Sequence, residues 1–435
     1  MNVVTLLTAF AVSVLVLMLS PIYGLVSYIA VVIWYPYSLT VKIGTIDFSA
    51  SRIILIVLWV NILMRKGVNR QYNFTMLDKA IIVYFVAQII SGVTTTDMMK
   101  MIENRAGAFF DVALPYFAIR LIVNDKKKYI IFLKGLAIAC ALLLIPAAFE
   151  SFTGHNLLDF GRGFQIDQRW GLYRAFASFR HPIARGIFLA MAGASCAGLT
   201  KSVARSQKWI YILSITMIGL GILFTLSSGP FICAILSIIF IAHFPIRKYW
   251  KTTIVVLVIM CLMVEIISNR HFYDVIDRFA FNSRTAWYRN RLIEVALFEG
   301  GMSGHWLMGY GFAEPGWCYL IDGRNHTDIV NHYLLILCRY GLVGFLPFCA
   351  IIYFTIATWC TNIRLSQSIA NTWLLWCNGG AIFGALIAFN SVAYIGQPIT
   401  LFYMTLALCG AYQMIFRQPD YQLCTNVHNN RRFYS

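Results

Sequence analysis

Charge is scarce in this 435-residue chain: 12% of its residues are Asp, Glu, Lys or Arg, against 59% hydrophobic. So few charges cannot solvate a large soluble domain, and apolar runs of roughly 20 residues, the length that crosses a bilayer core, follow one another. No GxxxxGK[ST] loop, HExxH pair or carboxylate cluster occurs, so nothing encodes nucleotide hydrolysis, a bound cofactor or a catalytic metal. The eleven cysteines form no CxxC pair, and most fall inside apolar runs, which argues against a disulfide framework or a zinc site. Cys318, the one well inside a long connection, reads as a free thiol. No internal repeat and no Ser/Gly linker breaks the chain, so residues 1–435 read as a single integral domain. The apolar stretch Val3 to Leu19 has neither a basic flank nor a small-residue cleavage site, and is expected to be retained rather than removed as a signal peptide.

Hydropathy places thirteen apolar segments, near 3–20, 22–40, 51–64, 79–95, 107–123, 129–149, 183–200, 209–227, 230–246, 252–268, 341–360, 372–391 and 398–416. Basic residues gather at alternate connections: Arg65 to Lys79, Lys126 to Lys128, Lys201 to Lys208, Arg247 to Lys251, Arg364, and the C-terminal Arg417, Arg431 and Arg432. By the positive-inside rule these ends are cytoplasmic. The net charge of +17 is thereby spent on topology, which makes nucleic acid a poor partner. Thirteen full crossings conflict with that sidedness at the N-terminus, so the fold class expected is all-α, a polytopic integral membrane protein of about twelve transmembrane helices plus one partial helix. Within the apolar segments Arg120 and Glu265 lie near span ends and are expected to snorkel, which argues against a proton relay.

Lysine is absent from the two longest connections, residues 151–185 and 269–340, where all twelve basic side chains are arginines. Guanidinium offers a fixed fork of donors that fits phosphate or carboxylate oxygens in pairs, whereas ammonium is a point charge. Both connections fall on the non-cytoplasmic side, the periplasmic side in a bacterium, as a first loop at 151–182 and a long loop at 269–340 with surface helices. In the long loop Ser283 to Phe298 and Asp328 to Arg339 carry helical periodicity, joined by the Gly/Pro-rich residues 309–317. Anchoring of Trp- and Tyr-rich helices at a membrane surface explains such a cap without any chemistry.

Four stretches carry more: RAFASFRHPIARG (Arg174 to Gly186), TLSSGP (Thr225 to Pro230), SRTAWYR with the later MGYGF (Ser283 to Arg289, Met308 to Phe312), and DIVNHYLLILCRYGLVG (Asp328 to Gly344). Their order and shared outer face resemble the O-antigen ligase and O-antigen polymerase superfamily over roughly residues 170–345. Arg174 with Phe179 and Pro182 matches that family's arginine ahead of a Phe-x-x-Pro-Asn turn. Arg284 with Trp287 matches its second arginine, and Gly309 with Gly311 its glycine-aromatic-glycine turn. Asn331, Tyr333, Leu334, Gly341 and Gly344 fall in register with its last motif. Three positions depart from the pattern: Val330 stands where the family has histidine, with His326 and His332 flanking it; Ile183 replaces the turn Asn; and Ser228 replaces an arginine.

The resemblance implies an inner-membrane glycosyltransferase of bacterial cell-surface polysaccharide biosynthesis, with a cytoplasmic C-terminus and an active site on the periplasmic face. Its donor would be a polyprenyl-diphosphate-linked oligosaccharide, its acceptor another glycan, and membrane lipids, chain-length regulators or export proteins its remaining partners. The Asp328-x-x-Asn331 form favours a polymerase of O-antigen or exopolysaccharide repeats over a ligase acting on lipid A core or protein. A flippase for lipid-linked sugars is the alternative of another class. Chemistry agrees on the electrostatics, since two or three paired guanidinium donors can hold a leaving diphosphate without metal or cofactor. Arg174 and Arg284 are the first candidates, then Arg180 and Arg289. For the base that takes the acceptor proton, Asp328, His332 and His326 are candidates. If residues 328–339 are helical, Asp328 and His332 stand at i and i+4 on one face, an arrangement that equally serves as a plain helix-stabilising pair.

Overall fold

The computed structural model describes residues 2–416 except 45, 66–71, 94–97, 160–166, 268–282, 318 and 324–327. The chain is mostly helical, with two short antiparallel hairpins, Thr40–Ile43 with Ile46–Ser49 and Gln168–Arg169 with Leu172–Tyr173. Among the described residues, four helical stretches are long and apolar enough to cross a membrane: Lys126–Thr153, Pro182–Lys201, Arg205–Leu223 and His332–Leu365. Five shorter apolar helices accompany them, Val3–Met18, Pro21–Trp34, Ala50–Met64, Ser228–Ala242 and Gln397–Ala411. About twelve full-length crossings are therefore not supported.

Several expected segments also differ in shape from what hydropathy, averaged over a window, shows. The expected segment 107–123 is interrupted by a π-helical turn, Phe109–Ala113, before Leu114–Ile122. Segment 129–149 is two stretches, Lys126–Leu142 and Leu144–Thr153, and the expected segment 341–360 is the middle of one long helix that begins at His332. That helix contains Pro347 and turns aside at Gly341, whose φ of 57° and ψ of −161° are not helical.

One apolar core runs through the bundle, from Ile29 and Leu55 in the N-terminal helices to Phe188, Phe348 and Leu408. A second, smaller core lies under the cap, built from Leu292, Val295, Met302, Trp317, Ile329 and Leu337. Helix starts follow local chemistry. Thr75 and Asp78 form a reciprocal capping box, Asp125 accepts from the Lys128 backbone at 2.7 Å, and Pro21 and Pro182 open helices where their missing N–H costs nothing.

Arg120 corrects one expectation. It does not snorkel; it is wholly buried and grips Asp78 through Nε and Nη2, both at 2.9 Å, while Tyr116 donates to the same carboxylate at 2.7 Å. Glu265 and Cys318 lie among positions whose side chains fall outside the described residues.

Candidate substrate cavity

The four sequence stretches pair up in space. Arg174 of the first meets the second: its Nη2 donates to Ser227 Oγ at 2.7 Å and its Nε to the Thr225 carbonyl at 3.4 Å, while Nη1 bridges Asp167 at 3.0 Å. Gly186 completes this contact, since a Cβ there would lie 2.5 Å from Pro230 and 2.9 Å from Thr225. The guanidinium is only 5% exposed and every one of its nitrogens is engaged. Burial, and then the neighbouring Arg169, lower its pKa from the ordinary guanidinium value.

The third and fourth stretches also interlock. Tyr310 N donates to the Cys338 carbonyl at 2.6 Å and Gly311 N to that of Arg339 at 2.9 Å, while Leu342 and Val343 return bonds to Trp306 and Leu307. This exchange joins the GYGF turn to the break in the long helix. Gly309 and Gly341 both have positive φ, and a Cβ on either would sit 2.6 Å or less from backbone atoms of the other strand of the joint. Glycine is required at both positions.

Beside this joint a cavity of about 640 Å³ opens among the ends of several helices. Four cations line it: Arg52, Lys100, Arg105 and Arg339. Asp47, Glu103 and Asp111 supply carboxylates, and Tyr28, Tyr37, Tyr84, Tyr340, Tyr394 and Tyr403 supply aromatic faces and hydroxyls. Arg52 is committed to one wall, holding Asp111 of the π-turn in a bidentate pair at 3.0 and 2.6 Å. Gly107 allows that approach, because a Cβ there would lie 3.2 Å from Arg52 Nη2. Arg105 donates to Gln88, Asn104 and the Tyr340 hydroxyl and lies over the Tyr340 ring. Arg339 is half-buried, its guanidinium 5.6 Å from the Phe312 ring centre, with no acceptor for its donors among the described residues.

The residues singled out by sequence distribute unevenly around this space. His332 lines it. The ring stacks on Phe389 at 4.4 Å, and its Nδ1 accepts from the Tyr394 backbone N–H at 3.3 Å. A ring that accepts at Nδ1 carries its proton on Nε2, so His332 offers the cavity a donor rather than a base. Asp328 is not helical: the helix begins at His332, with Asn331 as its cap accepting from Leu334 N at 3.0 Å. The expected i, i+4 pair therefore does not form, because Asn331 ends the extended segment and its side chain takes the first-turn donor. Asp328 is exposed, and its carbonyl accepts from Tyr288 Oη at 2.9 Å.

Arg180 is exposed, 5.9 Å from the Tyr37 ring centre, and so stands at the cavity rim through Tyr37. Next to it His181 caps a helix by accepting from Ile183 N at 3.1 Å. Loss of hydrating water among the crowding atoms, and then the charge of Arg174, push its pKa down to about 4, although the residue as a whole is exposed. Arg289 is buried in the cap and Arg291 is held by Glu299 at 3.0 Å; neither lines the cavity. Arg284 begins the Ser283–Ile293 helix, but its side chain lies outside the described residues, as does the whole of His326.

Arg52, Lys100, Glu103, Arg105 and Asp111 were not singled out by sequence. A signal existed for two of them: Arg52 and Asp111 fall inside expected apolar segments, where a charge marks a working site. No family model matches this chain, and no curated protein matches it.

Proposed function

We propose that this protein is a membrane glycosyltransferase of the bacterial inner membrane that moves a glycan from polyprenyl diphosphate to a glycan acceptor, working in the cavity beside Arg339. The observation that carries the reading is the cavity's lining: two guanidinium groups, Arg105 and Arg339, share one space with six tyrosines and the amides of Gln88, Asn104 and Gln397. Arginine forks suit a diphosphate, and aromatic faces with amide and hydroxyl groups suit sugars. The two glycine motifs of the superfamily resemblance build the joint that positions Arg339, which ties the sequence pattern to this space.

In the reaction, the acceptor hydroxyl oxygen bonds to the anomeric carbon as the bond from that carbon to the diphosphate oxygen breaks. The electron pair leaves on the diphosphate, where Arg339 stabilises the growing charge; removing one such donor typically costs about 10²–10³ in turnover. The cavity is formed by the helix ends opposite the Lys/Arg-rich connections, so on the positive-inside rule it faces the periplasm. Repeat-unit polymerisation is the favoured outcome, and ligation to lipid A core or protein differs only in the acceptor.

The test is to reconstitute the protein in lipid with a polyprenyl-diphosphate-linked oligosaccharide, without nucleotide or divalent metal. Free polyprenyl diphosphate and a ladder of longer glycans are expected. A donor that crosses the bilayer unchanged would instead identify a flippase and overturn the reading.

A further inference from the structure

Glycosyl transfer also needs an acceptor for the hydroxyl proton; of the candidates drawn from sequence, His326 lies outside the described residues and the other two do not provide one. His332 presents a donor, and Asp328 is not among the residues lining the cavity. Of the three carboxylates that do line it, Asp111 is gripped at both oxygens by Arg52, and Asp47 is exposed on the Thr40–Ser49 hairpin. Glu103 differs from both. It is half-buried on the Met98–Ala108 helix, lines the cavity, and has no hydrogen-bond or ion-pair partner among the described residues. Its helix also carries Lys100 and Arg105 into the same space, so the backbone that positions a diphosphate donor positions this carboxylate with it.

Resting on the glycosyltransferase reading above, we propose that Glu103 is the catalytic base. As the acceptor oxygen bonds to the anomeric carbon and the diphosphate departs with the bonding pair, the hydroxyl proton passes to a Glu103 carboxylate oxygen and is later released to water. Arg339 serves the leaving group, and Glu103 serves the nucleophile.

The experiment compares wild type, Glu103→Gln and Glu103→Ala in lipid with a polyprenyl-diphosphate-linked oligosaccharide, following both donor binding and release of polyprenyl diphosphate. Glu103→Gln is expected to bind the donor as wild type does and to turn over roughly 10²–10⁴-fold more slowly, the usual worth of a positioned base. Added formate is expected to restore part of the Glu103→Ala turnover, a response that loss of a structural contact would not show. Turnover of Glu103→Gln within about threefold of wild type, or an inactive Glu103→Ala that binds donor yet ignores formate, would overturn the base assignment alone. A wild-type protein that releases no polyprenyl diphosphate would overturn it together with the glycosyltransferase reading.

Discussion

Arg174 and Arg339 come from the same lysine-free connections and are indistinguishable as sequence letters, yet they live in opposite circumstances. Arg174 is locked, with Asp167, Ser227 and Thr225 occupying its nitrogens in a buried joint between two helix ends. Arg339 is half-buried at a cavity and its donors meet only an aromatic face among the described residues. A run of arginines therefore mixes side chains that fasten the fold with side chains whose donors stay open among the described residues. What separates them is the supply of local acceptors. A locked guanidinium would have to surrender existing bonds before gripping a diphosphate, whereas an open one gains bonds outright.

The sharpest way to break this contrast is to remove each arginine in turn. Arg339→Ala is expected to lower glycan transfer by about 10²–10³ while the melting temperature in detergent or lipid discs stays that of wild type. Arg174→Ala is expected to do the reverse in kind, destabilising the fold by about 1–3 kcal/mol through lost bonds to a charged group. Its surviving folded fraction should bind a short polyprenyl diphosphate normally. If Arg174→Ala instead kept its stability and lost binding, the assignments would have to be exchanged.

A smaller effect sharpens the open side. Gly341→Ala places a Cβ 2.3 Å from the Leu307 carbonyl oxygen at a positive φ, so the joint that sets Arg339 must shift. The cost is expected to exceed about 1 kcal/mol, and limited proteolysis should then cut the cap, residues 283–331, faster than in wild type. Cleavage at the wild-type rate would show that the joint tolerates the change.

The smallest effect belongs to the locked side. His181 titrates near 4 in the folded chain, below the ordinary histidine value of 6.5, so the unfolded chain takes up its proton first as pH falls. Its contribution to stability is whole above the ordinary value and is lost as pH drops through that window towards 4. His181→Asn keeps an N-cap acceptor without the titration, and melting temperatures measured across the window should fall less steeply for it. Parallel curves for the two proteins would remove His181 from the acid response.

Part of this arrangement is legible in the letters. Apolar length announces a helical membrane-type chain, and the motif glycines Gly309 and Gly341, singled out by resemblance alone, stand where two backbones meet. The cap helix at Ser283 to Phe298 is likewise present, as Ser283–Ile293 followed by a π-turn. The site itself is less legible. Its members come from connections far apart in sequence: Arg52 finds Asp111 across 59 positions and Arg105 finds Tyr340 across 235. No local spacing encodes such meetings. Local breaks are hidden for a related reason, since hydropathy sums over a window and is blind to a π-turn at Phe109, a junction at Leu143 or a glycine break at Gly341. Asp328 and His332 have helical spacing, but Asn331 between them is the better helix cap and sets the start at His332.

The division between fastened and open arginines is most directly read by titrating farnesyl diphosphate into wild type, Arg339→Ala and Arg174→Ala in lipid discs at fixed ionic strength. Loss of the Arg339 fork should weaken binding roughly ten- to a hundredfold, the range for a charge-assisted hydrogen bond, and loss of Arg174 should leave the affinity of the folded protein unchanged. Equal affinity for wild type and Arg339→Ala would contradict the cavity's role.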